Sequence, residues 1–260
     1  MQKSFKIATP ISQLFFNRKL SKKIITLSDV LELRDYQIKG DYNLPLIYHS
    51  ELNILAKWDE NDIKKLKLIN KNYQITLVSY HILSRYQHNS VVNNKFVGSG
   101  KPLTKSEMEK NVKENIKISK DIFGINVPIL LENMNHLLTD AYDIITNAEF
   151  INEIVNGNDC FLLFDFAHAQ ITIYNQKLNF KDYLNNLPLN KCKQIHFSRF
   201  SIRNGEGIDS HDKLKEDDWA KLKKLIQLIK SVEYITIEYY KSGRKLLNQL
   251  LKLKSLKYKS

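Results

Sequence analysis

Eight short apolar runs, each separated from the next by stretches of helical spacing or polar loop, constrain this chain more than any other feature, and most of them end on a side chain that can ligate a metal. The clearest is Cys160 to His168, in which a strand-like run leads into Asp165 and an imidazole follows three residues later on what is expected to be a loop. The other runs lie at 5–9, 30–34, 44–49, 73–81, 127–132, 194–197 and 234–238. Pro45 sits at the opening of its run, where the missing N–H matters least. Between the runs, apolar residues recur at helical spacing over 59–70, 137–155, 217–229 and 244–256, with a short helix at 180–187 and partial helix over 11–27. Thr104 to Glu107 has the form of a capping box and opens a helix that Gly124 ends. Polar loops are expected at 87–101 and 198–213.

Eight strands alternating with helices over 260 residues predict an α/β protein, a (β/α)8 TIM barrel in one domain spanning 1–260. The runner-up is a doubly wound open sheet, disfavoured because no Gly-x-Gly-x-x-Gly follows the first run. No apolar run reaches the roughly 18 residues of a membrane span. The start lacks the apolar stretch of a signal peptide, so a cytoplasmic location is expected. Cys160 and Cys192 form no framework and read as core thiols. The net charge of +12 comes from lysines spread over nearly every helix. No arginine cluster interleaves with aromatics and no helix-turn-helix or zinc-finger spacing occurs, so the charge reads first as a lysine-rich solvated surface and nucleic acid is not the expected partner; an acidic partner, peptide or nucleic-acid backbone, is the alternative.

The run ends define the chemistry. The third ends in His49 and the fourth in His81. The fifth ends in Glu132, followed by Asn133 and Asn135, and the sixth in Asp165, followed by His168. The seventh carries His196, and Asp209 and His211 follow on its loop; the eighth ends in Glu238. Parallel barrel strands bring all their carboxyl ends to one mouth, so these nine side chains would converge. So many carboxylates and imidazoles gathered together would repel without a cation. Nitrogen and oxygen donors without thiolate suit iron, manganese or zinc, and their number exceeds what one ion uses. His88 and His136 read as surface or supporting residues.

Six segments then carry a resemblance: 44–49, Ser79-Tyr80-His81, Leu131-Glu132-Asn133, Phe164 to His168, Ile195-His196-Phe197 and Ile208 to Asp212 with Trp219 beyond. Together they resemble the multinuclear non-haem iron-dependent oxidases, the family that includes the methanobactin biosynthesis oxidase. The resemblance implies a barrel of the xylose-isomerase-like kind with two or three iron ions, in mixed Fe2+ and Fe3+ states, at its mouth. It implies O2-dependent modification of a ribosomally made precursor peptide, often at cysteine, within natural product biosynthesis, and a separate partner protein that binds the leader. Carried over, His49, His81 and Glu132 hold one iron; Glu132, Asp165, His196 and Glu238 surround a second; His168, Asp209 and His211 form a third site. Asn133, Asn135 and Asn175 are candidates for substrate contact or ligand support, and Arg199 and Arg203 for binding a substrate carboxylate. The chain departs from the pattern at Ala167, where many members have Asn, in the bulky Phe197-Ser198-Arg199-Phe200 segment, and over the first forty residues. The rival readings are a sugar isomerase or epimerase with one divalent ion, an apurinic-site endonuclease with three zinc ions, and a barrel that has lost catalysis.

Overall fold

The computed structural model describes residues 5–35, 40, 42–93 and 95–257. Eight parallel strands close into a barrel in chain order. They are β1 (Lys6–Pro10), β2 (Val30–Arg34), β3 (Leu46–Asn53), β4 (Ile75–His81), β5 (Ile129–Glu132), β6 (Phe161–Asp165), β7 (Cys192–Phe197) and β8 (Tyr234–Ile237). Closure is made by β8 pairing with β1, with Ile235 opposite Ile7. The main helices are α1 (Arg18–Leu27), α2 (Glu60–Asn72), α3 (Lys105–Phe123), α4 (Ala148–Gly157), α5 (Phe166–Gln176), α6 (Phe180–Asn186), α7 (Glu216–Leu228) and α8 (Gly243–Lys257).

Alternation along each strand sorts side chains to two faces, which is why the runs are apolar nearly throughout. The outward set, including Ile7, Leu31, Leu33, Tyr48, Tyr80, Leu131, Phe164, Ile195 and Ile237, packs with the helices into the main core. The inward set forms a separate cluster of Ala8, Val30, Ile47, Leu77, Leu130, Leu163 and Tyr234 at the barrel floor. Two residues further along the same strands, the inward positions turn polar: Glu32, His49, Ser79, Glu132, Asp165 and Thr236, all buried. A dry floor therefore lies directly beneath a polar layer, and the layer faces the mouth.

All eight sequence-predicted strands are present, and the capping box of Thr104 and Glu107 opens α3, which Gly124 ends at φ +105°. Three expectations are corrected. The 137–155 helix begins only at Ala148; before it come a 3-10 turn at Asp140–Tyr142 and Ile144 at φ +69°, a left-handed conformation that breaks helical geometry. The segment after β6 is not a loop: Asp165 is itself the N-cap of α5, accepting from the His168 N–H at 2.7 Å. The two polar loops are antiparallel hairpins, His88–Val92 with Lys95–Ser99 and Arg199–Arg203 with Glu206–Asp212. Both stand at the mouth, where Lys95 of the first pairs with Glu206 of the second. Among the described residues no helix is long and apolar enough to cross a membrane. Cys160 and Cys192 are buried free thiols, each pushed up to about 12 by burial.

Candidate metal centre at the barrel mouth

Glu132 stands at the middle of the mouth, 1% exposed, and its two oxygens address different imidazoles. Oε2 lies 3.1 Å from His49 Nε2 and 3.1 Å from His81 Nδ1. Oε1 lies 3.5 Å from His196 Nδ1 and 3.6 Å from His168 Nδ1. Glu238 Oε1 reaches the same His196 nitrogen at 3.4 Å, and its Oε2 faces His211 Nε2 at 3.5 Å. His211 Nε2 also lies 3.1 Å from Asp209 Oδ2, which is 3.7 Å from His168 Nε2. All nine sequence-predicted ligands thus meet at one place, supplied by five barrel strands, the residue that follows β8, the start of α5 and the second hairpin.

Each of three imidazoles has one nitrogen committed to the protein. His49 Nδ1 bonds Ser79 Oγ at 2.8 Å, leaving Nε2 toward Glu132. His196 Nε2 bonds Glu32 Oε2 at 2.9 Å, leaving Nδ1. His168 Nδ1 donates to the Asn133 carbonyl at 2.9 Å, so its free lone pair is on Nε2, turned toward Asp209. A bond to one ring nitrogen fixes the tautomer and aims the other, as in metal-ligating histidines. Six further donor atoms, His49 Nε2, both nitrogens of His81, Glu132 Oε2, Asp165 Oδ2 and His196 Nδ1, are buried and make no well-aligned hydrogen bond. Leaving so many buried polar atoms unmet is costly unless a cation completes them. Sets of three donors close enough to share an ion are His49/Glu132/His196, His49/Glu51/His81, Glu132/Asp165/His168 and Glu32/His196/Glu238. The donor set fits metal, and its oxygen and nitrogen composition fits iron, manganese or zinc.

The electrostatics describe the same crowding. Burial pushes the Glu132 carboxyl up, but the neighbouring His81 and His49 imidazoles overcome it and hold the group well below the usual carboxylate range. Glu238 is likewise held down by His196 and Arg34 against burial. Asp165, buried and facing Glu238 and Glu132, is pushed up to about 8 despite His168. Burial opposes the charging of His168 and His196, yet Asp165 and Glu32 respectively raise them well above the ordinary imidazole value. His211 is raised too, against burial, by Glu238 and Asp209. It also adopts φ +44°, an uncommon backbone conformation for a non-glycine residue at the turn into the site.

Against this geometry, comparison with known proteins is informative. The model of the RiPP precursor modification enzyme family MbnB/TglH/ChrH matches residues 37–254. The chain belongs to this family. Relatives of the MbnB/TglH/ChrH chain include a UPF0276 protein of Paraburkholderia phytofirmans, 29% identical over 59% of this chain and 50% of the relative. Another, from Psychromonas ingrahamii, is 27% identical over 68% of this chain and 62% of the relative. The matches to these two therefore span about half to three-fifths of the relatives' length. Among solved structures, D-psicose 3-epimerase with D-tagatose from Clostridium cellulolyticum H10 superposes with TM-score 0.62 at 12% identity, covering 98% of this chain and 99% of that one. The 3-keto-D-glucoside 4-epimerase YcjR from E. coli gives 0.63 at 14%, with the same coverage. These likenesses establish the xylose-isomerase-like barrel.

Within this MbnB/TglH/ChrH barrel, three of the five residues expected to contact or support substrate, Asn133, Asn175 and Arg199, do not line the mouth cavity, which has a volume of about 990 Å3. Asn133 clamps the ends of β5 and β6, donating to the Asp165 carbonyl at 2.9 Å and accepting from the Asp165 N–H at 2.8 Å. Asn175 staples the second hairpin to α5, donating to the Gly207 carbonyl at 3.0 Å and accepting from its N–H at 2.7 Å. Arg199 is paired with Asp218 at the start of α7, at 2.8 Å. Asn135 and the exposed Arg203 do line the cavity. The sequence reading did not single out Glu32, Arg34 and Glu51. Glu32 and Arg34 are two apart in a strand whose five residues are all buried. Charged residues sharing the inner face of a barrel strand were the available signal. His136 is a supporting residue within hydrogen-bond reach of Thr146 and Gln176.

Proposed function

We propose that this chain is a multinuclear iron-dependent oxidase that modifies a ribosomally synthesised precursor peptide, at cysteine, with O2 as co-substrate. The carrying observation is Glu132, a buried carboxylate whose two oxygens serve separate groups of imidazoles in a cage of unpartnered donors. A carboxylate so placed has one oxygen to offer each of two ions. Membership of the precursor-modification family supports the peptide as substrate. In this reading His49, His81 and Glu132 hold one ion; Glu132, Asp165, His196 and Glu238 hold a second; His168, Asp209 and His211 hold a third. Bound in this cage, iron would supply the redox chemistry.

The chain's own residues set the stage for that chemistry. Ser79, Glu32 and the Asn133 carbonyl orient the imidazoles before any ion arrives, so ligand geometry is not left to thermal motion. The apolar floor of Leu77, Leu130 and Leu163 closes the barrel below and excludes water from that side. Leu83, Phe96, Met134, Leu137 and Ile208 give the cavity wall an apolar surface suited to a peptide side chain, and exposed Arg203 at the rim can hold a peptide carboxylate.

The test is metal content together with oxygen uptake. Protein purified without added chelator should carry two or three iron equivalents, and should consume O2 when given a cysteine-bearing peptide encoded beside its gene. A single manganese or magnesium, with turnover of a ketose, would establish the epimerase reading instead. That reading needs one ion and about four ligands, leaving His49, His81 and His211 without a task.

A further inference from the structure

Beside the proposed second ion site lies a donor set that shares His196 and Glu238 with it and adds Glu32, which none of the proposed ions uses. Glu32, His196 and Glu238 place ligand atoms within 4.8 Å of one another, all buried, a geometry that would take a metal ion by itself. A side chain already stands there. The Arg34 guanidinium, 7% exposed, is bonded through Nη2 to Glu238 Oε1 and paired through the same nitrogen with Glu32 Oε1. Tyr240 Oη donates to that same Glu238 oxygen at 3.1 Å. The other Glu32 oxygen is filled from the protein side, by Gln194 Nε2 at 2.7 Å, His196 Nε2 at 2.9 Å and Thr236 Oγ1 at 3.3 Å.

We infer that Arg34 is a built-in cation that occupies this fourth donor set, closes it to metal, and so limits the number of ions the cage accepts. Two carboxylates and an imidazole in a dry layer require positive charge, and a guanidinium supplies it permanently, with fixed geometry and no exchange with the medium. Tethering Glu238 Oε1 to Arg34 also leaves Oε2 as the oxygen that faces His211 and the mouth. Arg34 is thus a positioning residue for the cage, acting through Glu238. The inference deepens the metal-cage reading and rests on it.

The experiment counts metal per chain in the full-length protein. Wild type, Arg34→Ala, Arg34→Gln and Arg34→Lys are saturated with Fe2+ under anaerobic conditions, and in parallel with Zn2+, then freed of loosely bound ion and analysed. Arg34→Ala and Arg34→Gln are expected to hold one equivalent more than wild type. Arg34→Lys, which keeps a cation in place, is expected to match wild type. Equal or lower counts in folded Arg34→Ala and Arg34→Gln would overturn the inference while leaving the cage intact. Wild type that binds neither metal would instead remove the cage reading itself. Should loss of Arg34 unfold the metal-free chain, excess metal must restore the fold along with the extra equivalent; failure to do so also overturns the inference.

Discussion

At the scale of single residues, the site is a balance between protons and the cation that would replace them. His168, His196 and His211 bind protons more tightly in the folded chain than free imidazole does. The stability they lend the metal-free protein is complete below about pH 6.5 and is lost as pH rises through their raised values. Asp165 acts in the same direction: its carboxyl goes from 3.8 to about 8, so ionising it weighs against the folded state as pH climbs between those values. Glu32, Glu132 and Glu238 set the acid limb, because their contribution is lost as pH falls through their depressed values. A bound cation displaces the protons and relieves Asp165, so the rise in Tm on metal loading should be larger at pH 8 than at pH 6. Thermal melts of loaded and metal-free protein at the two pH values check this; an equal or smaller rise at pH 8 would contradict it. Metal binding should likewise release protons, read as a buffer-dependent heat in calorimetry. The nine candidate ligands were legible in the sequence because seven of them end an apolar run or follow one closely, while Asp209 and His211 stand two apart on the polar segment beyond the seventh run. Glu32 and Arg34 were not, because in an alternating Val-Leu-Glu-Leu-Arg run charged residues read as facing solvent, and only barrel closure turns that face inward.

At the scale of elements, two asparagines hold the ligand-bearing pieces in register. Asn133 satisfies both the N–H and the carbonyl of Asp165 across β5 and β6. Asn133→Ala leaves both groups buried and unmet, which should cost roughly 2–4 kcal/mol in chemical denaturation; a loss under about 0.5 kcal/mol would show that the clamp is dispensable. Asn175 acts on the second hairpin, which carries Asp209 and His211. Asn175→Ala should leave barrel amides protected in hydrogen exchange but speed exchange at Gly207 and neighbouring hairpin positions, and weaken the ion held by Asp209 and His211 before the others. Unchanged Gly207 exchange would refute the staple. The barrel strands were readable because parallel strands buried on both faces show as apolar runs. The hairpins were not: His88–Val92 and Lys95–Ser99 are mostly polar and exposed, so no apolar alternation marks them, although Phe96 packs against the core. Helix α5 was missed for the opposite reason. Phe166, Ala167, Ala169 and Ile171 are all buried, so it lacks a polar stripe, and no loop separates it from β6.

At the scale of the whole molecule, the barrel converts a linear pattern into a focal one. Side chains from Glu32 to Glu238 are brought together because inward positions of neighbouring strands lie side by side, the polar layer one step above an apolar floor. The same architecture carries sugar epimerases at 12–14% identity, so the fold alone does not choose the chemistry; in the function proposed above, the imidazoles on β3, β4 and the second hairpin do. The central claim is that these donors form one multinuclear cage with Glu132 as its bridge. Iron equivalents per chain, counted in anaerobically loaded wild type and Glu132→Ala with the fold verified by circular dichroism, test it most directly. Wild type should hold two or three equivalents and Glu132→Ala should lose more than one of them, whereas a variant that keeps its full complement, or sheds only a single ion, would contradict the bridge.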